Sequence, residues 1–212
     1  MMHVSSLERA LIGNPRSREP ETNLAIVTPP AEELLRFADI EAQLRLFVDD
    51  EKQLIEGTMI PTAREVCELW ARRAFLTQTL RLTLDAWPDD CVIHLRRPPI
   101  QSVTSVVYVD DNGTSHTLAA SKYVVDLDGQ RVYIDDVPSA TLQQIAGVRV
   151  TYVAGYGDSA EDVPARYIQA AKLLVGHYYE NREAVVVGQG FSALEVPLAV
   201  RFLLMLDRGS YH

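Results

Sequence analysis

The sequence predicts an α+β fold in which helices flank a strand-rich middle region. Apolar residues recur at helical spacing before residue 76 and after residue 163. Between these positions apolar and polar residues alternate, which is the period of half-buried strands. Turn sequences such as Asp111-Asn112-Gly113 separate the strands, because Asn and Gly accept positive φ. With 212 residues, 47% of them apolar, the chain is long enough to bury its own core.

The first 47 residues predict an irregular segment followed by a helix. Residues 1–30 are polar and proline-rich, and they show no sustained periodicity. We interpret them as a flexible N-terminal arm, or as a short peripheral helix over SLERALIG followed by a linker. Residues 31–47 predict a helix because apolar side chains recur at helical spacing, namely Leu34, Leu35, Ala38, Ala42 and Leu46.

A second helix is predicted over residues 50–75. The acidic run at residues 49–51 is typical of a helix start, because carboxylates satisfy free amides and the positive end of the helix dipole. Pro61 lacks a backbone donor, so we expect the helix to kink or restart there. Its predicted apolar stripe consists of Val66, Leu69, Trp70 and Ala74.

From Thr77 the period changes to two, and a strand is predicted over the alternating run that follows. Pro98-Pro99 predicts an extended corner, and Asp128-Gly129 predicts a second tight turn. Gly155 and Gly157 are expected to let the chain turn sharply after the last strand. Further strands are predicted near residues 91–95, 101–110, 114–118, 122–127, 130–134 and 147–154.

Two helices are predicted near the C-terminus. The first covers residues 164–180, with Pro164 in its first turn and Asp162 close to its N-cap. Its apolar face consists of Ile168, Ala171, Leu174, Val175 and Tyr178. The second covers residues 195–207 and is apolar on nearly all sides. Such a helix is either buried in the core of its own subunit or covered in part by another subunit or partner.

The candidates for catalysis are weak. The sequence has neither a GxxxxGK[ST] phosphate loop nor a GxSxG elbow. His177 and Glu180 share a helix face and could bind a metal, but a structural histidine explains the pair more simply. Asp158, Glu161 and Asp162 resemble part of a calcium loop, and a capping role explains them more simply. We therefore predict no enzymatic activity, cofactor or metal.

Charge and cysteine content restrict the partners further. The formal net charge is −9, and −7 of it lies between Asp85 and Asp162, where 12 acidic residues outnumber 5 basic ones. An acidic surface repels the phosphate backbone, so a sequence reader of nucleic acid is disfavoured. Solubility, or a channel wall past which DNA slides, would both account for the acidity. Cys67 and Cys91 are expected to be reduced, and no apolar run is long enough for a membrane span.

Three phrases taken in order resemble one protein family. They are WARRAFLTQTLRLTLDAWP at residues 70–88, RPPIQSVTSVVYVDDNGTSHTLAASKYVVD at 97–126, and VRVTYVAGYGDSAEDVPARYIQAAKLLVGHYYENREAV at 148–185. In this order and spacing, over residues 31–207, the chain resembles the head–tail connector (adaptor) proteins of tailed phages and phage-like gene transfer particles. That resemblance implies an α-helical bundle core with an inserted antiparallel β-rich lobe.

The resemblance implies a division of the chain into four parts. A flexible arm would precede a helical connector core that the β-rich insertion interrupts, and a linker with an apolar helix would follow. The corresponding ranges are 1–30 for the arm, 31–76 and 156–185 for the core, 77–155 for the insertion, and 186–212 for the C-terminal linker and helix.

The implied function is structural. Copies of the chain, twelve by resemblance, would form a ring under the portal protein, extend the DNA channel and dock a stopper or tail-terminator protein. DNA would pass without sequence-specific binding, and no cofactor or membrane would be involved. The protein would be made in the host bacterial cytoplasm and reside in the neck of the virion or phage-like particle.

The resemblance also implies two sets of contact residues. The C-terminal set would touch the portal, and it consists of Glu195, Leu198, Arg201, Phe202, Leu203, Leu206, Arg208 and Tyr211. The second set would lie between subunits, and it consists of Arg72, Arg73, Tyr178, Tyr179 and Arg182. Two alternative functions are another neck component, such as a stopper or tail-completion protein, and a small metal-dependent hydrolase that uses His177 and Glu180.

Overall fold

A computed structural model describes residues 22–44, 51–181 and 196–206 of the chain. These residues form four helices and eight strands, which confirms the predicted α+β class. Three of the helices are α1 (Phe37–Leu44), α3 (Ala165–Glu180) and α4 (Leu198–Met205). The helix α2 is continuous and consists of an α segment (Lys52–Leu54), a π segment (Ile55–Met59) and a second α segment (Ile60–Ala71).

All four helices contribute to one hydrophobic core, with α3 in contact with α1, α2 and α4. Tyr167 of α3 is fully buried and stacks on Phe75, which follows α2, with 4.5 Å between the ring centroids. Ala171, Leu174 and Val175 are buried as predicted, whereas Ile168 and Tyr178 are half-buried. We call this set of helices and its core the helical cluster.

The first helix begins later than predicted, and residues 45–47 of the prediction, with Leu46, lie outside the described residues. Leu34 and Leu35 are buried as expected, but they precede α1, which begins at Phe37. The Arg36 backbone N–H donates to the Asp39 carboxylate at 3.1 Å, an arrangement typical of a helix start. Lys172 of α3 binds the same carboxylate at 3.1 Å and ties α1 to the cluster.

The predicted apolar stripe of α2 is wrong at Leu69, which is 64% exposed. The buried face instead includes Ala63, Cys67 and Ala71, with Arg64 and Glu68 beside them. Because two buried positions of α2 carry charged side chains, the apolar residues alone indicated a face that is offset from the buried one. The helix does not stop at Pro61 but changes from π to α geometry at Ile60, so that Pro61 lies in the first turn of the new segment.

The strands form two antiparallel sheets. The larger has the order β1-β2-β8-β4-β5 and the smaller the order β3-β7-β6. The predicted strands are confirmed to within about two residues at each end. Their bounds are β1 Thr22–Thr28, β2 Gln78–Leu84, β3 Val92–His94, β4 Ile100–Val109, β5 Ser115–Thr117, β6 Tyr123–Asp126, β7 Arg131–Ile134 and β8 Val148–Ala154.

The two sheets share a second hydrophobic core, to which alternate side chains of β2 and β8 contribute. Tyr152 is fully buried, and its hydroxyl donates to the Arg96 carbonyl oxygen at 2.7 Å. The hairpin predicted at Asp111-Asn112-Gly113 joins β4 to β5, with φ of 81° at Gly113. We call these two sheets the β lobe.

The strand β1 was not predicted, because residues 1–30 were expected to be a flexible arm. Over Thr22–Thr28 that expectation is wrong: the segment pairs antiparallel with β2. Its short apolar run, Leu24 to Val27, is flanked by prolines and polar residues and shows neither clear alternation nor helical spacing. Residues 1–21 lie outside the described part of the chain, as does SLERALIG.

A buried ionic network joins the helical cluster to the β lobe. Glu68 of α2 is fully buried and accepts hydrogen bonds from the Phe75 backbone N–H at 2.8 Å and from the Gln78 side chain of β2 at 2.9 Å. Arg64 binds Glu68 at 3.3 Å and Glu33 at 2.8 Å. The network therefore fixes the end of α2 relative to the first strand of the lobe.

The chain returns from the β lobe to the helical cluster at Gly155, where the sequence predicted a sharp turn. Its φ is 137°, and a Cβ there would lie 2.5 Å from the Leu76 carbonyl carbon and oxygen. The Gly155 N–H donates to the Pro99 carbonyl at 2.9 Å, and the Thr77 N–H donates to the Gly157 carbonyl at 2.9 Å. Only glycine permits this close approach of the two connecting segments.

Candidate assembly surfaces

The helix α4 has one buried face and one exposed apolar face. Val200 and Leu204, one turn apart, are 0% and 1% exposed and join the core of the helical cluster. On the other side Leu198 is 81% exposed and Phe202 is 66% exposed, and Met205 and Leu206 are exposed as well. Burial in the core of its own subunit therefore holds for one face of this helix only, and the other face presents apolar side chains to solvent.

The C-terminal contact residues predicted from the sequence divide into three groups. Leu198, Phe202 and Leu206 lie on the exposed face. Arg201 and Leu203 are half-buried, and the Arg201 guanidinium lies 5.1 Å from the centre of the Trp70 ring, which attaches α4 to α2. Outside the described residues lie Glu195, Arg208 and Tyr211.

The residues predicted between subunits are less uniform in exposure. Arg72 is exposed and ends α2 in the left-handed conformation, with φ of 55°. Arg73 is only 8% exposed, so its side chain lies inside the subunit rather than on its surface. Tyr178 and Tyr179 are half-buried against the helical cluster, and burial raises the pKa of Tyr178. Arg182 lies outside the described residues.

The residues considered for catalysis have structural surroundings. The Asn181 side-chain NH₂ donates to Nδ1 of His177 at 3.2 Å, while Glu180 is exposed. Asp162 and Ser159 cap the short 3₁₀ turn Ala160–Asp162 reciprocally, whereas α3 itself begins after Pro164. Within residues 22–44, 51–181 and 196–206, no group of three or more His, Cys, Asp or Glu side chains is arranged to hold a metal.

The two cysteines are free, as expected, and one of them is deeply buried. Burial, with the nearby Glu68 carboxylate, raises the pKa of the Cys67 thiol to about 12. The thiol is therefore protonated at neutral pH and is not a nucleophile. Cys91 is half-buried in the β lobe.

Sequence reasoning missed two surface features. Ile26 and Val27 are 42% and 48% exposed on β1 at the edge of the larger sheet. Met205 is exposed beside the predicted members of the α4 face. The only signal for the first feature is the short run LAIV inside a segment that otherwise reads as irregular.

Comparison with known proteins gives matches among solved structures only. No family model and no curated protein matches the chain. The chain is 26% identical to a chain from the neck of an empty gene transfer agent particle computed with C6 symmetry. That match has a TM-score of 0.64 and covers 86% of this chain and 94% of the other.

Two further structures match over similar lengths. One is a chain of the virion of a native gene transfer agent particle, with 27% identity, a TM-score of 0.63, and coverage of 84% and 93% of the two chains. The other is a chain of the neck of a native particle computed with C12 symmetry. It is 24% identical, with a TM-score of 0.62 and coverage of 86% and 94%, and it bears on the fold alone.

These likenesses support a structural protein of a phage-like particle neck. The similar chains are components of particles, and the residues proposed for catalysis here have capping and packing contacts instead. Among the described residues, no helix is long and apolar enough to cross a membrane.

Proposed function

We propose that the protein is the head–tail connector (adaptor) of a tailed phage or phage-like particle. Copies of the chain form a ring of twelve under the portal protein, extend the DNA channel and dock a stopper or tail-terminator protein. The C6 symmetry of the similar neck structure is compatible with a ring of twelve, because twelve is a multiple of six.

The observation that carries the proposal is the exposed apolar face of α4. Two buried residues anchor this eight-residue helix, while Leu198, Phe202 and Leu206 stand at 81%, 66% and 55% exposure. Monomeric proteins rarely expose several large apolar side chains on one short element unless a partner covers them. We therefore assign this face to the portal contact.

The charge of the chain fits a channel that DNA must traverse. A subunit with a net charge of −9 repels phosphates, so a ring of such subunits lets DNA slide without adhering. The two regions have different parts in the ring: the helical cluster carries the portal contact, and the strands within residues 77–155 form the inserted part of the ring wall.

Co-assembly with the portal protein of the same particle tests the proposal. The double variant Leu198→Glu/Phe202→Glu should abolish the complex in native mass spectrometry, because two carboxylates would have to be buried in an apolar contact. Its free energy of unfolding, measured by thermal denaturation, should stay within about 0.5 kcal/mol of that of the parent, since both side chains are exposed.

Ile145→Glu is the matched control, because Ile145 is 77% exposed in a loop of the β lobe. This variant should still assemble on the portal. A Leu198→Glu/Phe202→Glu protein that binds the portal as well as the parent does would contradict the assignment. Binding of the unaltered protein to a tail component alone would instead favour a stopper or tail-completion protein.

A further inference from the structure

The strand β1 presents an unusually open edge. It is seven residues long, stands at the end of the larger sheet, and pairs with β2 on one side only among the described residues. Proteins usually protect edge strands with charges, prolines or short length. The strand TNLAIVT contains neither a charge nor a proline, and its only irregularity is a bulge between Ile26 and Thr28.

The other edge strands of the described sheets are protected. Strands β3 and β5 have three residues each. Strand β6 has four residues, and its Asp126 forms an ion pair with Arg131 of β7 at 2.8 Å. Strand β1 is therefore the one edge of the described residues that is long, uncharged and partly apolar on its surface.

A second open edge lies across the same sheet, in the part of β4 where the register shifts between Ile100 and Ser102 and between Val103 and Ser105. Strand β4 has ten residues, but β5 pairs only with its last three, and one further hydrogen bond joins Leu118 to Val106. Residues 100–105 are thus paired with β8 alone in the described part of the chain. Their sequence, IQSVTS, is uncharged, and Gln101, Ser102 and Thr104 are exposed.

The pairing register of the larger sheet places the two open edges at the same height along the strand direction. Counted through β2 and β8, Ala25 is level with Ser105, and Thr28 is level with Ser102. The two strands also run in opposite directions, because three antiparallel steps separate them. In a ring whose axis follows the strands, these segments of neighbouring copies would meet at one height and in antiparallel sense.

We propose that residues 25–28 of one copy add as an antiparallel strand to residues 102–105 of the next copy. This inference rests on the proposed ring. Two observations favour a second copy as the occupant. The two open edges of one copy are level and antiparallel, so they can pair with each other, and neither edge carries a charge, whereas the subunit as a whole has a net charge of −9 that repels its neighbours elsewhere. Unlike edges that join head to tail generate a ring where the rotation between copies closes, and main-chain hydrogen bonds supply the affinity.

A disulfide between neighbouring copies tests the pairing directly. In a Cys91→Ser background, the variant Thr28→Cys/Ser102→Cys is assembled on the portal and oxidised mildly. Facing residues of antiparallel strands have Cα atoms about 4.5–5.5 Å apart, within the range that a disulfide spans. A ladder of covalent multimers on a non-reducing gel is expected, and Thr28→Cys/Ser115→Cys, whose cysteines lie at different heights, should give none.

Hydrogen exchange of the unaltered protein provides an independent readout. Amides of β1 that point away from β2 should exchange at least about 10-fold more slowly in the ring than in the isolated subunit. Protection already present in the isolated subunit would mean that another part of the same chain covers β1, and would overturn the inference. A ring on the portal that shows neither the cross-link nor slower exchange of the β1 amides would also overturn the inference, although the adaptor function would then stand. A protein that forms no ring with any portal would contradict both.

Discussion

The helical cluster and the β lobe differ in how their exposed apolar side chains are distributed. In the lobe, β2 and β8 bury alternate side chains, and both sheets contribute to one core. In the cluster, α4 buries two side chains and leaves Leu198 and Phe202 largely exposed. The exposed apolar side chains of the lobe, such as Val124 and Ile145, are spread over separate strands and loops, whereas those of α4 lie together on one face.

The joint between the regions decides whether they unfold as one unit. Glu68 is the centre of that joint, because it binds Arg64, the Phe75 N–H and the Gln78 side chain. Burial raises the pKa of Glu68, while the Phe75 N–H and the Arg64 charge act in the opposite direction.

Removing this carboxylate should have the largest effect on stability. Glu68→Ala leaves the buried Phe75 N–H without its acceptor and removes one of the carboxylates that bind Arg64, so the free energy of unfolding should fall by roughly 3–5 kcal/mol. Urea unfolding followed by circular dichroism measures the change. Glu65→Ala is the control, since Glu65 is exposed and 3.8 Å from Arg64, and it should change stability by less than about 0.5 kcal/mol. Equal effects of the two variants would contradict a central role for Glu68.

A substitution at Gly155, where the chain returns from β8 to the helical cluster, should destabilise the protein nearly as much. Gly155→Ala places a methyl group against the Leu76 backbone at a φ of 137°, so it should destabilise the protein by roughly 2–4 kcal/mol. Thermal unfolding is a suitable measurement. Gly57→Ala has open space around the added methyl group and should be neutral or mildly stabilising. A harmless Gly155→Ala would show that the two connecting segments are free to separate.

Inside the β lobe, removing the hydroxyl of Tyr152 should lower the free energy of unfolding by a smaller amount. The Tyr152 hydroxyl donates to the Arg96 carbonyl at 2.7 Å and accepts from the Arg96 N–H at 3.2 Å. Tyr152→Phe should therefore lower the free energy of unfolding by about 1–2 kcal/mol. Tyr133→Phe, at an exposed position of the smaller sheet, should change it little. If the two variants lose equal stability, the Tyr152 contact does not hold the Arg96 segment.

The smallest expected effect is the pH dependence of stability that Glu68 contributes. Because the pKa of Glu68 is raised in the folded state, the folded protein binds this proton more tightly than the unfolded chain does. Stability from this group is present below the ordinary pKa of 4.5 and declines as pH rises toward the folded-state pKa. The unfolding free energy of the parent minus that of Glu68→Gln should fall across this window, by at most about 1.4 kcal/mol per pH unit. A difference that grows with pH would contradict the direction of the shift.

The lobe was predictable from sequence and the cluster less so, for a physical reason. Strand alternation is local, and Asp111-Asn112-Gly113 fixes the position of a hairpin with residues that accept its φ angles. The buried face of α2 depends on Arg64 and Glu68, whose burial follows from partners at Glu33 and Gln78 that no local pattern reveals. The π segment at Ile55–Met59 adds a further shift of phase.

The candidate surface was predictable in part. The apolar character of residues 195–207 indicated a helix in need of cover, but which side chains remain exposed depends on how α4 packs against α2 and α3. Likewise β1 owes its strand structure to the edge of β2, a contact across more than 50 residues of sequence. Neither is encoded in the local spacing of apolar residues.

A reconstruction of the neck in particles that contain this chain tests the connector function most directly. We expect a ring of this fold directly beneath the portal, with the exposed face of α4 against a portal subunit in every copy. A ring that touches only the tail tube, or particles whose neck lacks this chain, would contradict it.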